Sequence, residues 1–171
     1  FGCLAIAGPR SRDVLSKLTD ADLSNEAFRW LTAQSIAVNG ADVRALRVSY
    51  AGELGWEIYV PIDQMAALYD ALMEAGAEFG IIPAGMYALN SLRMEKAYRG
   101  FGSEMTNEVT PIEADMMRFV SKKKTDFRGH KAIANNQTKL SNYELIYGAV
   151  DVPHRDIMGN EPIYCGDDIV G

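Results

Sequence analysis

Between residues 33 and 61 apolar side chains recur at every second position, which ties this part of the chain to an antiparallel sheet. Three segments carry the alternation: AQSIAV, DVRALRVSY and GWEIYV. The stretch NGAD joins the first two, with Asn39-Gly40 at its centre, the pair best suited to the positive φ angles of a two-residue hairpin turn. AGELG separates the second from the third. In the third segment, alternation sends Trp56, Ile58 and Val60 to one face and Glu57 and Tyr59 to the other.

The flanking patterns are helical. FGCLAIAGP predicts a buried strand, and the residues after it a helix with Gly8 at its N-cap, Pro9 at its first position and Val14, Leu15 and Leu18 facing inward. A short helix is expected over 25–30. Asp63 is placed to cap a helix whose stripe is Met65, Leu68, Tyr69, Leu72 and Met73 and which ends at Gly76. Pro83 opens another helix to about Ala97, with Met86, Leu89 and Leu92 as its apolar positions. RGFGSEMTNEVTPIEA has the composition of a loop, followed by a short helix or an irregular piece over 113–117, a strand RFVSK, and a turn and short helix in DFRGHKAIANNQTK. YELIYGAV, EPIYC and DIVG then predict short strands. The fold class expected is α+β, a mainly antiparallel sheet with packed helices followed by the start of a small β-barrel domain. The boundary falls near 137–141, giving domains 1–137 and 138–171. The chain opens inside an apolar strand, and YCGDDIVG ends as half of a hairpin, so a piece of a larger enzyme is expected.

Composition excludes several classes. The 171 residues carry a net charge of −6 with scattered basic residues, so there is no basic stripe for nucleic acid. No apolar run has transmembrane length. Cys3 and Cys165 are far apart and belong to no CxxC pair, and His130 and His154 are isolated, so no metal site is expected. Two such cysteines suit a reducing compartment; the expected location is the cytoplasm in a bacterium, or the mitochondrial matrix if the chain is eukaryotic.

Few residues suggest chemistry. If the turn brings the ends of the second and third strands together, Tyr50 lies near Glu57. A carboxylate accepts two parallel hydrogen bonds from a flat heterocycle that presents an amino group beside a ring N–H, and a phenol can stack on such a ring. A solvated polar face on a half-buried sheet explains the same residues. Arg93 stands at the edge of its helix's apolar stripe, where it can pin the helix to the following loop, with Asn90 and Glu95 nearby. Thr110 and Glu113 form a capping-box pattern. The run Lys122, Lys123 and Lys124 can attract an anionic ligand tail or simply be solvated. No phosphate-binding glycine loop fits its required context.

Four stretches in order, LAIAGPRSRDVL, SYAGELGWEIYVP, IPAGMYALNSLRMEKAYRGFGSEMTNEVTPIEA and DFRGHKAI, resemble the aminomethyltransferase family, the glycine-cleavage T-protein and its relatives. Within it, GMYALNSLRMEKAYRGFGSEMT is similar to the folate-binding C-terminal half of sarcosine and dimethylglycine dehydrogenases, and EPIYCGDDIVG to the start of the C-terminal barrel. The resemblance implies tetrahydrofolate as cofactor, with Glu57 matching the pterin-binding glutamate, Tyr50 the ligand-contacting tyrosine, and Ile58 and Tyr59 lining the same wall. It implies capture of a one-carbon unit as 5,10-methylenetetrahydrofolate. The catalytic aspartate would lie upstream of Leu4, as would an FAD-binding partner domain. The arginine of a Gly-Ala-Arg-Asp segment found in glycine-cleavage proteins is missing, since Ala88, Leu89 and Asn90 stand there. Arg118 occupies a position near which dehydrogenase relatives carry an aromatic residue. The alternatives are a glycine-cleavage aminomethyltransferase or a non-catalytic folate-binding assembly module, whose Lys-Gly-Cys-Tyr-x-Gly-Gln signature is not matched by DFRGHKAI.

Overall fold

The computed structural model describes residues 1–136, 143–154, 157 and 159–171. They form two compact units, Phe1–Glu108 and Val109–Gly171. The architecture is α+β.

The first unit is built on a four-stranded antiparallel sheet of order β1-β4-β3-β2, comprising β1 (Gly2–Ala7), β2 (Ala33–Val38), β3 (Ala41–Leu46) and β4 (Gly55–Val60). β2 and β4 coincide with the alternating segments. β3 is shorter than its pattern, because the chain leaves the sheet after Leu46, and the expected strand residues 47–50 lie in a connection. Asn39 and Gly40 adopt φ of 48° and 77°, the two left-handed residues that the hairpin turn needs. Among the described residues β1 runs along an edge, paired only with β4, and its burial alternates: Ile6 is buried while Cys3 and Ala5 are exposed. That corrects the expectation of a buried strand.

The inner face of the sheet carries Ile6, Val38, Val43, Ala45, Trp56, Ile58 and Val60 in one core. Against it lie α1 (Ser11–Leu15), through Val14 and Leu15, and α2 (Met65–Gly76), through Leu68 and Leu72. Gly55 permits the close approach of β1 to β4, since a Cβ there would stand 2.4 Å from the Ile6 carbonyl oxygen and 3.1 Å from Ala7 Cα. Both obstacles are backbone and cannot rotate away. Gly55→Ala is therefore expected to cost about 3 kcal/mol, the upper part of the overpacking range, read as a lowered midpoint in urea.

Several element ends differ from expectation. α1 begins at Ser11 rather than at Pro9, and Gly8, expected as its N-cap, sits in a turn at φ 129° with its amide donating to the Leu54 carbonyl. The buried Ser11 hydroxyl donates to that same carbonyl, so the turn is pinned before the helix starts. Residues 25–30 form turns, with Phe28 buried among them. Asp63 caps nothing: it lies in a single 3₁₀ turn, Ile62–Gln64, where the Pro61 carbonyl takes the Gln64 amide. α2 does end at Gly76, as expected, and a 3₁₀ turn, Ala77–Phe79, carries the chain on to Gly80 at φ 72°. The next helix, α3 (Met86–Glu95), is shorter than expected, and Met86 and Leu92 on its predicted stripe are exposed while Arg93 is buried.

In the second unit Thr110 and Glu113 make the reciprocal bonds of a capping box, the Glu113 carboxylate taking the Thr110 amide at 2.7 Å and the Thr110 hydroxyl taking the Glu113 amide at 3.2 Å. Met117–Phe119 is a 3₁₀ turn where the strand RFVSK was expected. α4 spans His130–Asn136. Residues 143–150, expected as a strand, form none, and Tyr143, Ile146, Tyr147 and Val150 are exposed; a strand without a paired neighbour is not stable. Among the described residues the expected barrel start is a single ribbon, β5 (Tyr164–Cys165) with β6 (Asp168–Ile169). DIVG is thus itself the return strand of YC, and YCGDDIVG is a whole hairpin rather than half of one. The boundary expected near 137–141 lies outside the described residues.

Candidate functional site

The face of the sheet opposite the core is open. β4 is flanked by both neighbours, so its outward residues sit in rows: Ala5, Glu57 and Leu46 in one, and Cys3, Tyr59 and Arg44 in the next. Glu57 is half-buried between the short side chain of Ala5 and that of Leu46. The Tyr59 hydroxyl donates to Glu57 Oε2 at 2.9 Å. This bond engages Oε2, while Oε1 has no hydrogen-bond partner among the described residues. Arg44 donates to Ser35 Oγ at 3.2 Å and so is drawn away toward β2.

The bond to Glu57 and the carboxylate's charge push the Tyr59 phenol from its ordinary 10.0 up to about 12. A raised acid is stabilised in its protonated form. Its contribution is complete below the ordinary value and disappears as pH rises through the raised one. Tyr59 thus remains a donor across the neutral range. In Glu57→Gln the Tyr59 ionisation is expected to fall back toward the ordinary value, read by ring NMR signals in an alkaline titration. Across the pair with β1, burial and then the Glu57 charge push the Cys3 thiol up, outweighing its bonds to Tyr59 and the Ile58 backbone. A protonated thiol is a poor nucleophile.

Tyr50 stands apart from this pair. Its hydroxyl donates to the Arg99 carbonyl at 2.7 Å, and its ring stacks on Tyr98 with centroids 6.3 Å apart and planes 16° from parallel. The ring is 41% exposed. The connection that carries it is held from below by Arg47, which donates to the Phe28 carbonyl at 2.5 Å and to Asn25 Oδ1 at 2.7 Å.

Residues 1–124 match the family model of the GCVT N-terminal domain. The chain belongs to this family. It is 44% identical over its whole length to mouse dimethylglycine dehydrogenase, covering 20% of that protein. It is 40% identical over its whole length to mouse sarcosine dehydrogenase, covering 19%. An aminomethyltransferase of Koribacter versatilis is 39% identical over 78% of the chain and 35% of its own length. The chain therefore spans about a fifth of the two dehydrogenases.

Of the site residues expected in this GCVT domain, the fold sets Glu57 and Tyr59 side by side on the open face. It places Tyr50 at the end of the sheet, held by the segment after α3. Ile58 is corrected: its side chain is fully buried in the core, on the opposite face from Glu57, as strand alternation requires. Arg93 does pin its helix to the following loop, as expected. Sequence reasoning missed Cys3, Ala5, Tyr98 and Glu104, whose places depend on long-range pairing or on the path of a loop. The four-residue spacing between Gly100 and Glu104 in a loop, after a buried helical arginine, was the available signal. Among the described residues no three His, Cys, Asp or Glu side chains converge as metal ligands, and no helix is long and apolar enough to cross a membrane.

Proposed function

We propose that this GCVT domain is the folate-binding, one-carbon transfer segment of a larger enzyme of the dimethylglycine and sarcosine dehydrogenase type, and that the whole enzyme forms 5,10-methylenetetrahydrofolate. The observation that carries the reading is the half-occupied Glu57 carboxylate. It is oriented by Tyr59, walled by Ala5 and Leu46, and free at Oε1 on an open face. A pterin ring offers an amino group beside a ring N–H, a pair of donors that a carboxylate accepts in plane. Tetrahydrofolate supplies the nitrogens that accept a one-carbon unit. In this chain Glu57 holds the pterin edge, Tyr59 keeps the carboxylate turned, and the exposed Tyr50 ring supplies a flat apolar surface. The proton-transferring aspartate and an FAD-binding domain belong to the rest of the enzyme, in keeping with the fifth of the dehydrogenase length spanned here. The folate-binding domain runs over 1–137, and 138–171 begin a C-terminal barrel. The residues Ala88, Leu89 and Asn90, where glycine-cleavage proteins carry an arginine, favour the dehydrogenase branch over a glycine-cleavage aminomethyltransferase.

The test is a titration of the full-length polypeptide with 5-formyltetrahydrofolate, a stable reduced folate, followed by tryptophan fluorescence. Saturable binding is expected, and Glu57→Ala is expected to weaken it about a hundredfold, the sum of two charge-assisted hydrogen bonds. Binding that survives the substitution would move the site away from Glu57. No binding by the full-length protein would end the folate reading.

A further inference from the structure

Arg93 is 5% exposed although its helix is otherwise open, with Met86 76% and Tyr87 94% exposed. Its guanidinium makes three hydrogen bonds, through Nε and Nη1. Nε donates to Asn90 Oδ1 at 2.9 Å, and Nη1 donates to the Tyr98 carbonyl at 2.9 Å and to Glu104 Oε2 at 2.8 Å. Glu104 Oε2 also accepts the Gly100 amide at 2.6 Å. Burial opposes ionisation of Glu104, but the Gly100 amide and Arg93 outweigh it and hold the carboxyl below its ordinary value.

The backbone between these groups is unusual. α3 ends in a Schellman motif, with the Tyr98 amide donating to the Arg93 carbonyl at 2.9 Å and the Ala97 amide to that of Met94 at 2.8 Å. Ala97 holds the left-handed position at φ 53°, where glycine is the easy choice. The side chain of Arg93 compensates by gripping the next carbonyl, that of Tyr98. The peptide units on either side of Arg99 are thus fixed at both ends: the Tyr98 carbonyl by Arg93, and the Gly100 amide by Glu104. Between them projects the Arg99 carbonyl that accepts the Tyr50 hydroxyl. The Tyr98 ring stacked on Tyr50 belongs to the same turn, and Lys96 pairs with Glu53 at 3.2 Å beside it.

We infer that Arg93 and Glu104 are positioning residues for Tyr50: their ion pair shapes the 97–100 turn, which in turn sets the place and plane of the Tyr50 ring at the ligand site. What Tyr50 touches rests on the folate reading, whereas the mechanical link from Glu104 to Tyr50 does not.

The experiment therefore has two readouts. The first is the NMR spectrum of the full-length protein with ring-labelled tyrosine, signals assigned by Tyr→Phe substitution, without folate. Glu104→Gln is expected to move the Tyr50 and Tyr98 ring signals and to leave that of Tyr59. The second is the affinity for 5-formyltetrahydrofolate. Glu104→Gln and Tyr50→Phe are each expected to weaken it about tenfold, and the double variant no further than either alone, because both break one linkage. Should Glu104→Gln fail to fold, Gly100→Ala is the gentler probe. Its Cβ would stand 3.1 Å from Glu104 Oε2 and 3.3 Å from Arg93 Nη2, so the ion pair must shift by a few tenths of an ångström. It is expected to move the same two rings and weaken binding in the same direction. Tyr50 signals that stay in place, or folate effects of Glu104→Gln and Tyr50→Phe that multiply, would overturn the inference. Wild-type protein that binds no folate would remove the folate reading alone, with the ring signals still deciding the link.

Discussion

Replacing Trp56 by alanine is expected to lower the free energy of unfolding by about 3–5 kcal/mol, the range for removing a fully buried large aromatic side chain. Trp56 has no exposed surface and is the largest of the fully buried side chains. Phe28 meets it edge-on at 6.2 Å, and the guanidinium groups of Arg12 and Arg47 lie 5.9 and 5.8 Å from its ring. These neighbours belong to three separate parts of the chain and cannot all collapse into the space left behind. Trp56→Phe should cost much less, about 1–2 kcal/mol. The indole N–H is buried without a partner, so the substitution removes an unsatisfied donor together with part of the ring. Urea unfolding followed by circular dichroism separates the two variants. Equal midpoints for Trp56→Ala and wild type would show that the ring is not central to the core.

Arg93→Met is the second large effect, expected at about 3 kcal/mol, the lower end of the range for breaking a buried pair by removing one partner. Methionine fills much of the space but leaves the Tyr98 carbonyl, Asn90 Oδ1 and Glu104 Oε2 without the donors they now share. The Glu104 side chain is 28% exposed, so water reaches it and moderates the loss. Ionised Glu104 contributes in full above the ordinary carboxylate range, and its contribution is lost as pH falls through the lowered folded value. The stability gap between wild type and Arg93→Met should therefore narrow at acid pH. A gap that is constant down to the acid transition would mean that the arginine acts by packing alone.

The strand segments and the hairpin turn could be read directly from residues 33–61, because alternation and an Asn-Gly pair are local signals. The α2 stripe was legible for the same reason, and Leu68 and Leu72 do face the core. Element ends were less so. Asp63 and Gly8 carry good capping chemistry, yet Pro61 and the Leu54 carbonyl settle those ends through contacts that no local pattern records. The strand expected in YELIYGAV shows the opposite limit, since a run of strand-favouring residues supplies no neighbouring strand to pair with.

For the candidate site, the sequence by itself determined which residues share a face of β4: Glu57 with Tyr59, and Ile58 with the core. A period of two allows nothing else once the strand exists. Only the tertiary structure decided what stands beside them. Pairing of β1 with β4, which sets Ala5 against Glu57 and Cys3 against Tyr59, joins segments about fifty residues apart. The clasp on Tyr50 reaches equally far, to Arg99. Such contacts are chosen by the packing of whole elements around one core, in which each local segment has many acceptable neighbours and only the assembled fold selects among them.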